Sequence, residues 1–223
     1  MSRVQQGGPQ WSNGTVPEGT LVGRATGGSV AALTPAQGMA LLGVASAWHL
    51  PMVVGDYFAP TLNMTTAVPA EATEYAQFII PSRSCTLDRV GVYAYAGGTT
   101  GAVIRLGVRA HVAATFRPGA VLVDAGTVAG TGAGGAREAT VSLPLTAGVP
   151  YWLTATVQGG AGTRPEVVMN IGATTPAGAS SLPSSVNHVS LIAAGVTGAL
   201  PASPSWTLAA SVACIRVYAR ASA

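Results

Sequence analysis

The sequence predicts an all-β protein: a jelly-roll-like antiparallel β-sandwich preceded by a short helical connector and an extended N-terminal arm. From residue 56 onward, apolar runs alternate with turns at intervals of roughly 8–15 residues, which is typical of a sandwich or barrel. The same region shows a period of two and no helical pattern. Before residue 56, a polar stretch and a helix-start signal indicate two further segments. The predicted division is therefore 1–16, 17–55 and 56–223.

The arm, residues 1–16, is polar apart from one large apolar side chain, Trp11. Such a terminal segment is commonly disordered when it is alone. Two interpretations remain open. Either Trp11 anchors the arm to a larger assembly, or the arm is a free tail.

The connector, residues 17–55, contains a predicted helix over 35–42. Thr34 can cap this helix, Pro35 suits its first position, and Gly43 can end it. A helix of about two turns is marginal in water, so its apolar side chains need a partner. They must bury against the downstream domain or against copies of themselves. These apolar residues are Met39, Leu41 and Leu42.

The composition is unusually poor in charge. Only 9% of the 223 residues are charged and 48% are hydrophobic, whereas about 25% charged residues are usual. Such a surface is poorly protected against association, which favours a buried interface between identical chains. A high-GC genome is the alternative explanation for part of this bias, since all eleven basic residues are arginine.

Several classes of protein are disfavoured. The net charge of +3 is spread along the chain, whereas nucleic-acid binding needs a clustered basic surface. The first ten residues lack the apolar core of a signal peptide, and no block of ~18 apolar residues predicts a membrane span. We therefore expect no nucleic-acid partner and no membrane insertion.

The two cysteines, Cys85 and Cys214, are too few for a zinc site. They are expected to be buried thiols of a protein made in a reducing cytoplasm, and a disulfide between the first and last strands is the alternative. No metal or cofactor is predicted.

The main domain has about nine candidate strands, separated by turns rich in glycine. They cover residues 75–80, 86–96, 102–112, 120–129, 138–143, 150–157, 166–171, 186–193 and 206–219.

Alternation assigns the faces of two neighbouring strands. One face of each points inward, formed by Val90, Val92 and Ala94 on the first strand and by Ile104, Leu106 and Val108 on the second. The outward set is the best candidate for a binding site, because aromatic rings can pack against the C–H-rich faces of sugars. A solvated sheet face is the alternative. The outward set is Arg89, Tyr93, Tyr95, Arg105, Arg109 and His111.

A hairpin through residues 97–101 would place Tyr93 opposite Arg105, and Arg89 opposite Arg109. Directly opposed like charges are unfavourable, so an acidic partner, a subunit contact or an anionic polysaccharide could relieve them.

Two late segments, 174–188 and 195–206, are rich in Pro, Ser and Gly. Long loops on a rigid sandwich commonly carry binding function. Here Asn187, His188 and Trp206 would contribute, unless these are variable surface loops and Trp206 begins a core strand.

Catalytic motifs are not evident. Residues 130–135 match GxGxxG, but the chain continues as a strand, whereas a dinucleotide site needs a helix there. A glycosidase needs two converging carboxylates, and the sequence leaves open that two of them meet. The carboxylates in question are Asp56, Asp88, Asp124, Glu138 and Glu166.

A family resemblance lies in the connector. The segments Gly23-Arg24-Ala25-Thr26-Gly27 and 33–43, LTPAQGMALLG, resemble the short connector of bacteriophage fibre and appendage proteins. Gly38 departs from the pattern, because relatives carry a better helix former there. The resemblance implies a trimer with a compact β-rich tip.

A second resemblance covers roughly residues 57–223. Leu87-Asp88-Arg89-Val90-Gly91, Asp124-Ala125-Gly126-Thr127 and Tyr151-Trp152-Leu153 resemble the β-sandwich domain of tail-fibre or head-fibre proteins of actinophages and related phages. This resemblance implies a structural and adhesive family, and the domain is also similar in layout to carbohydrate-binding sandwiches.

The expected function is therefore that of a non-enzymatic, homotrimeric fibre on the exterior of a tailed-phage virion. Trp11 would attach it to other virion proteins, in the tail, baseplate or capsid. The sandwich tip would bind a host-surface polysaccharide. A capsid head fibre or decoration protein and a polysaccharide-degrading enzyme are the alternatives.

Overall fold

The computed structural model describes residues 22–24, 30–32, 49–50, 52–59, 63–160, 162–171, 189–210 and 212–222. All of the secondary-structure elements in these residues are β-strands. No helix long and apolar enough to cross a membrane is found there. The chain forms two compact units, Met1–Ala45 and Ser46–Ala223.

In the first unit, β1 (Val22–Arg24) pairs antiparallel with β2 (Val30–Ala32). The sequence analysis assigned no strand there. The predicted helix over 35–42, with Met39, Leu41 and Leu42, lies outside the described residues, as does Trp11.

The second unit contains two seven-stranded sheets, in which the strands pair antiparallel except for β3 with β6. Its strands are β3 (His49–Leu50), β4 (Tyr57–Phe58), β5 (Asn63–Ala67), β6 (Thr73–Pro81), β7 (Cys85–Ala96), β8 (Val103–Val112), β9 (Arg117–Ala129), β10 (Gly135–Leu145), β11 (Tyr151–Gln158), β12 (Glu166–Ile171), β13 (Val189–Ala194), β14 (Thr207–Ala210), β15 (Cys214–Ile215) and β16 (Tyr218–Ser222).

We call the two sheets A and B. Sheet A has the order β15-β12-β7-β16-β4, with β10 beside β7 and β5 beside β12. Sheet B has the order β14-β13-β6-β11-β8-β9, with β3 beside β6. The single region predicted as a strand over 206–219 is thus three strands, one in sheet B and two in sheet A.

One hydrophobic core draws its side chains from both sheets, as in a β-sandwich. The predicted inward residues are confirmed. Val90, Val92 and Ala94 of β7, and Ile104, Leu106 and Val108 of β8, are all buried. The core also holds a polar bridge, in which Gln77 of sheet B donates to the carbonyl of Val217 at 2.8 Å and accepts from Asn170 of sheet A at 2.8 Å.

The predicted hairpin between β7 and β8 is wrong. β7 belongs to sheet A and β8 to sheet B, and the chain crosses between the sheets through residues 97–102. The crossing is tight, because a Cβ at Gly97 would collide with the backbone carbonyl of Gly132. Alternation tells which way a side chain points, but it does not choose the partner strand.

A second buried layer covers the outer face of sheet B. Its centre is Phe78, Trp152 and Leu191, and Phe116 and Trp206 pack against it. Every residue of β11 is consequently buried. This layer explains why some outward-pointing positions on sheet B, such as Arg109, are buried.

Cys85 and Cys214 form no disulfide with each other; Cys214 is buried and Cys85 is half-buried. Burial raises the pKa of the Cys85 thiol, whose sulfur lies 3.7 Å from that of Met52. Met52 is itself buried in the core, so the second unit includes residues that the sequence analysis assigned to the connector.

Candidate functional site

A groove of about 360 Å³ opens on the outer face of sheet A. The pairing of three strands builds it, because Gly91 of β7 lies opposite Glu138 of β10 on one side and Tyr218 of β16 on the other. Tyrosines from three different strands surround it. The lining residues are Tyr57, Gly91, Val92, Tyr93, Ala136, Glu138 and Tyr218.

Gly91 keeps the floor of the groove low. A Cβ at this position would lie 2.7 Å from the carbonyl oxygen of Arg137 and 3.1 Å from Cγ of Glu138. The first of these distances is too short for a side chain without a backbone shift. Only glycine therefore allows β10 to come this close beside a recessed surface.

Two of the tyrosines present accessible ring surface. Tyr57 is 43% exposed and Tyr93 is 45% exposed, while Tyr218 is half-buried. Burial raises the pKa of Tyr57, and the nearby carboxylate of Glu138 raises it further. The phenol is thus protonated at neutral pH.

Ion pairs border the groove. Arg220 donates to both carboxylate oxygens of Asp88, at 3.0 and 2.7 Å. It also lies over the ring of Tyr57, with its Cζ 5.6 Å from the ring centroid. The hydrogen bond from Arg220 lowers the pKa of Asp88. Arg89 lies 3.9 Å from Glu138. Aromatic faces beside fixed hydrogen-bonding groups form the kind of surface that can hold a sugar ring, apolar on one face and polar at its edge.

The predicted site residues of β7 lie on this face. Tyr93 lines the groove and Arg89 pairs with a carboxylate that lines it. Tyr95 is 61% exposed but does not line the groove.

The predicted site residues of β8 are in the other sheet, so the six outward residues do not form one surface. Arg109 is completely buried, where it donates to both oxygens of Glu74, at 2.7 and 2.8 Å, and to the carbonyl of Gly119 at 3.1 Å. The like-charge opposition of Arg89 and Arg109 does not occur, because Arg109 pairs with Trp152 and Val121 along the ladders of sheet B.

His111 and Trp206 have structural surroundings. Nδ1 of His111 accepts a hydrogen bond from Nε1 of Trp152 at 3.2 Å, and burial lowers the pKa of His111, so the imidazole is neutral at pH 7. The ring of Trp206 is half-buried against the second layer and carries the Arg109 guanidinium 5.4 Å from its centroid. Asn187 and His188 lie outside the described residues.

Arg105 is paired as well, with its Nε 3.0 and 3.1 Å from the two carboxylate oxygens of Asp124. Asp124 also accepts from the backbone N–H groups of Gly126 at 3.1 Å and Leu200 at 3.0 Å. Burial alone would raise the pKa of Asp124, but the backbone hydrogen bonds and Arg105 outweigh it and lower the pKa.

This carboxylate gives a test by pH. Because the pKa of Asp124 is lower in the folded protein than in the unfolded chain, the stability that it contributes is present above about pH 4 and is lost as the pH falls through the lowered value. We expect Asp124→Asn to make the acid-induced fall in the free energy of unfolding shallower than in the wild type. Urea unfolding at several pH values between 2 and 6 measures this, and equal slopes would contradict it.

Sequence reasoning missed Tyr57 and Tyr218 as members of the site. Each lies in a short strand far along the chain from Tyr93, and nothing local in the sequence indicates that they meet. The sequence indicated Glu138 only as one of five carboxylates of which two could meet.

Three of the five candidate carboxylates lie beside arginines. Asp88 pairs with Arg220, Asp124 with Arg105 and Glu138 with Arg89. In the part of the chain that the structure describes, no group of three or more His, Cys, Asp or Glu side chains could hold a metal ion. No protein-family model matches this chain, and no curated protein matches it.

Proposed function

We propose that this protein is a non-catalytic fibre protein of a tailed-bacteriophage virion, and that it binds host-surface glycans through the groove on sheet A. The observation that carries the binding proposal is the convergence of Tyr57, Tyr93 and Tyr218 on the recessed floor at Gly91. The proposal of a phage fibre rests on the resemblance of the connector and the sandwich to fibre proteins. The finer architecture, a helical connector over 35–42 and a jelly-roll tip, is part of this proposal.

Trimeric assembly would make weak sites effective. Three groups of tyrosines on one stalk would engage a repeating polysaccharide together, so that effective concentration raises the avidity above that of one groove. The full-length chain should then have three times its mass of 22.1 kDa in light scattering. A monomer mass would overturn the trimer.

Tyrosine substitutions test the groove. We expect Tyr93→Ala to weaken binding to host glycan about tenfold, because an aromatic side chain at the centre of a binding surface is commonly worth more than 1 kcal/mol. Tyr95→Ala is the matched control, since Tyr95 lies two residues further on the same strand, is exposed, and does not line the groove. Titration of fluorescent host glycan into each full-length variant measures the two affinities.

Two outcomes would count against this site. Equal losses of affinity for Tyr93→Ala and Tyr95→Ala would mean that the ligand binds the outer face of sheet A without using the groove. Unchanged binding in both variants would place the ligand elsewhere.

Localisation separates the tail fibre from a capsid head fibre or decoration protein. Immunogold electron microscopy of intact virions, with an antibody against residues 56–223, should label the tail tip or baseplate. Gold over the capsid would support the structural alternative. Release of reducing ends from host polysaccharide by the purified protein would instead support a degrading enzyme.

A further inference from the structure

Arg216 is a cation beside the groove, and no carboxylate pairs with it among the residues that the structure describes. It lies between β15 and β16, and its neighbours Ile215 and Val217 are both buried in the core. Alternation therefore directs Arg216 to the outer face of sheet A, as it does Tyr218. The Arg216 Cζ lies 5.2 Å from the centroid of the Tyr218 ring, and this ring lines the groove.

The guanidinium of Arg216 has few protein partners. Among the residues that the structure describes, it makes no ion pair. Its Nε is buried without a hydrogen-bond acceptor there, and its one side-chain hydrogen bond is a long one, 3.5 Å from Nη1 to Oδ1 of Asn170. The arginines on the outer face of sheet A otherwise have carboxylates beside them, Arg89 near Glu138 and Arg220 on Asp88.

Among the charged side chains just described, the arginines Arg89, Arg216 and Arg220 outnumber the carboxylates Asp88 and Glu138 by one. The carboxylates pair with Arg220 and Arg89, so Arg216 is the arginine of this group without a carboxylate among the residues that the structure describes. An anionic group on a ligand would complement the remaining positive charge. A guanidinium holds a carboxylate by two parallel hydrogen bonds, which favours this anion over a diffuse negative charge.

We propose that the ligand of this groove is a glycan that contains a uronic acid residue, whose carboxylate binds Arg216 while its ring packs against the tyrosines. This inference rests on the proposed glycan-binding function and names the class of sugar. The tyrosines supply contact with the ring, whereas Arg216 supplies selection for the acid over the neutral hexose. A charge-assisted hydrogen bond is strong enough to change affinity by at least about tenfold.

Carboxyl reduction of the ligand gives the direct test. Full-length protein is titrated against a panel of bacterial acidic polysaccharides, each also prepared with its uronic acids reduced to neutral hexoses, and against neutral polysaccharides. We expect binding to acidic members of the panel and a loss of at least about tenfold on reduction.

Variants identify the residue responsible. Arg216→Gln should bind the acidic and the reduced forms equally weakly, and Arg216→Lys, which keeps the charge without the planar fork, should retain part of the preference. Arg83→Gln is the control for net charge. Arg83 is exposed and precedes Cys85, which lies about 20 Å along β7 from Gly91, so this variant should behave as the wild type.

The outcomes separate the inference from the proposed function. Wild-type binding that is unaffected by reduction, or an Arg216→Gln variant that keeps the preference for the acid, would overturn the role of the carboxylate while leaving glycan binding in place. Absence of binding to every member of the panel and to host cells would overturn the proposed function itself. The reduction experiment needs no variant, so it decides the question even if Arg216→Gln fails to fold.

Discussion

Replacing Glu74 by leucine is expected to lower the free energy of unfolding by about 3–5 kcal/mol. Glu74 and Arg109 are both completely inaccessible to solvent, and two hydrogen bonds of 2.7 and 2.8 Å join them. An arginine keeps its charge in proteins. Without the carboxylate, Arg109 would be left as a buried charge with one backbone acceptor, the carbonyl of Gly119.

The double variant Glu74→Leu/Arg109→Met is the matched control. Replacing a buried ion pair by apolar side chains of similar volume is often neutral or stabilising, so we expect the double variant to be close to the wild type in urea unfolding. The two single variants and the double variant together form a cycle that measures the coupling. A single variant that loses less than about 1 kcal/mol would show that water reaches Arg109.

Trp152→Ala is the second substitution with a large expected effect, a loss of about 3–5 kcal/mol. Trp152 is fully buried in the layer outside sheet B, where its ring lies 5.0 Å from Phe78 and 6.2 Å from Phe116, edge-on to both. Alanine would remove the largest fully buried side chain of this layer and leave a cavity between β11 and the residues that cover it.

Trp152→Phe separates the ring from its hydrogen bond. The phenylalanine keeps most of the packing but cannot donate to Nδ1 of His111, so we expect a smaller loss, about 1–2 kcal/mol. Thermal and urea unfolding of both variants measure the difference. If Trp152→Ala were as mild as a surface substitution, within about 0.5 kcal/mol, the outer face of sheet B would be open to solvent.

The substitutions at Glu74 and Trp152 also separate the stability of the fold from the proposed binding site. The buried ion pair and Trp152 lie on sheet B, whereas the groove lies on the outer face of sheet A. If the groove binds host glycan as proposed, a folded Trp152→Phe protein should keep its affinity for it, while Tyr93→Ala should lose affinity without losing stability.

The difference between the two sheets also explains why half of the predicted site was misplaced. Arg105, Arg109 and His111 do alternate with the core residues of β8, as predicted. They nevertheless bond to Asp124, Glu74 and Trp152, with Arg109 completely buried and the other two partly buried. The segment over 195–206, which was predicted as a variable or ligand-binding loop, supplies Leu200 and Trp206 to this side of the sheet.

Sequence alone determined the features that depend on neighbours along the chain. The all-β class, most of the strands and the inward faces of β7 and β8 follow from a period of two, because successive side chains of a strand point to opposite sides. Tyr93 was found as an outward residue for the same reason. None of these inferences depends on which strands are neighbours in a sheet.

Only the tertiary structure decided how those strands combine. Backbone hydrogen bonds between strands do not depend on the side chains. The partner of a strand is therefore set by how all the strands together bury their apolar side chains. That is why β7 and β8 lie in different sheets, and why Tyr57 and Tyr218 meet Tyr93 across Gly91. The groove depends on contacts between residues more than a hundred positions apart. A local sequence pattern does not indicate such contacts.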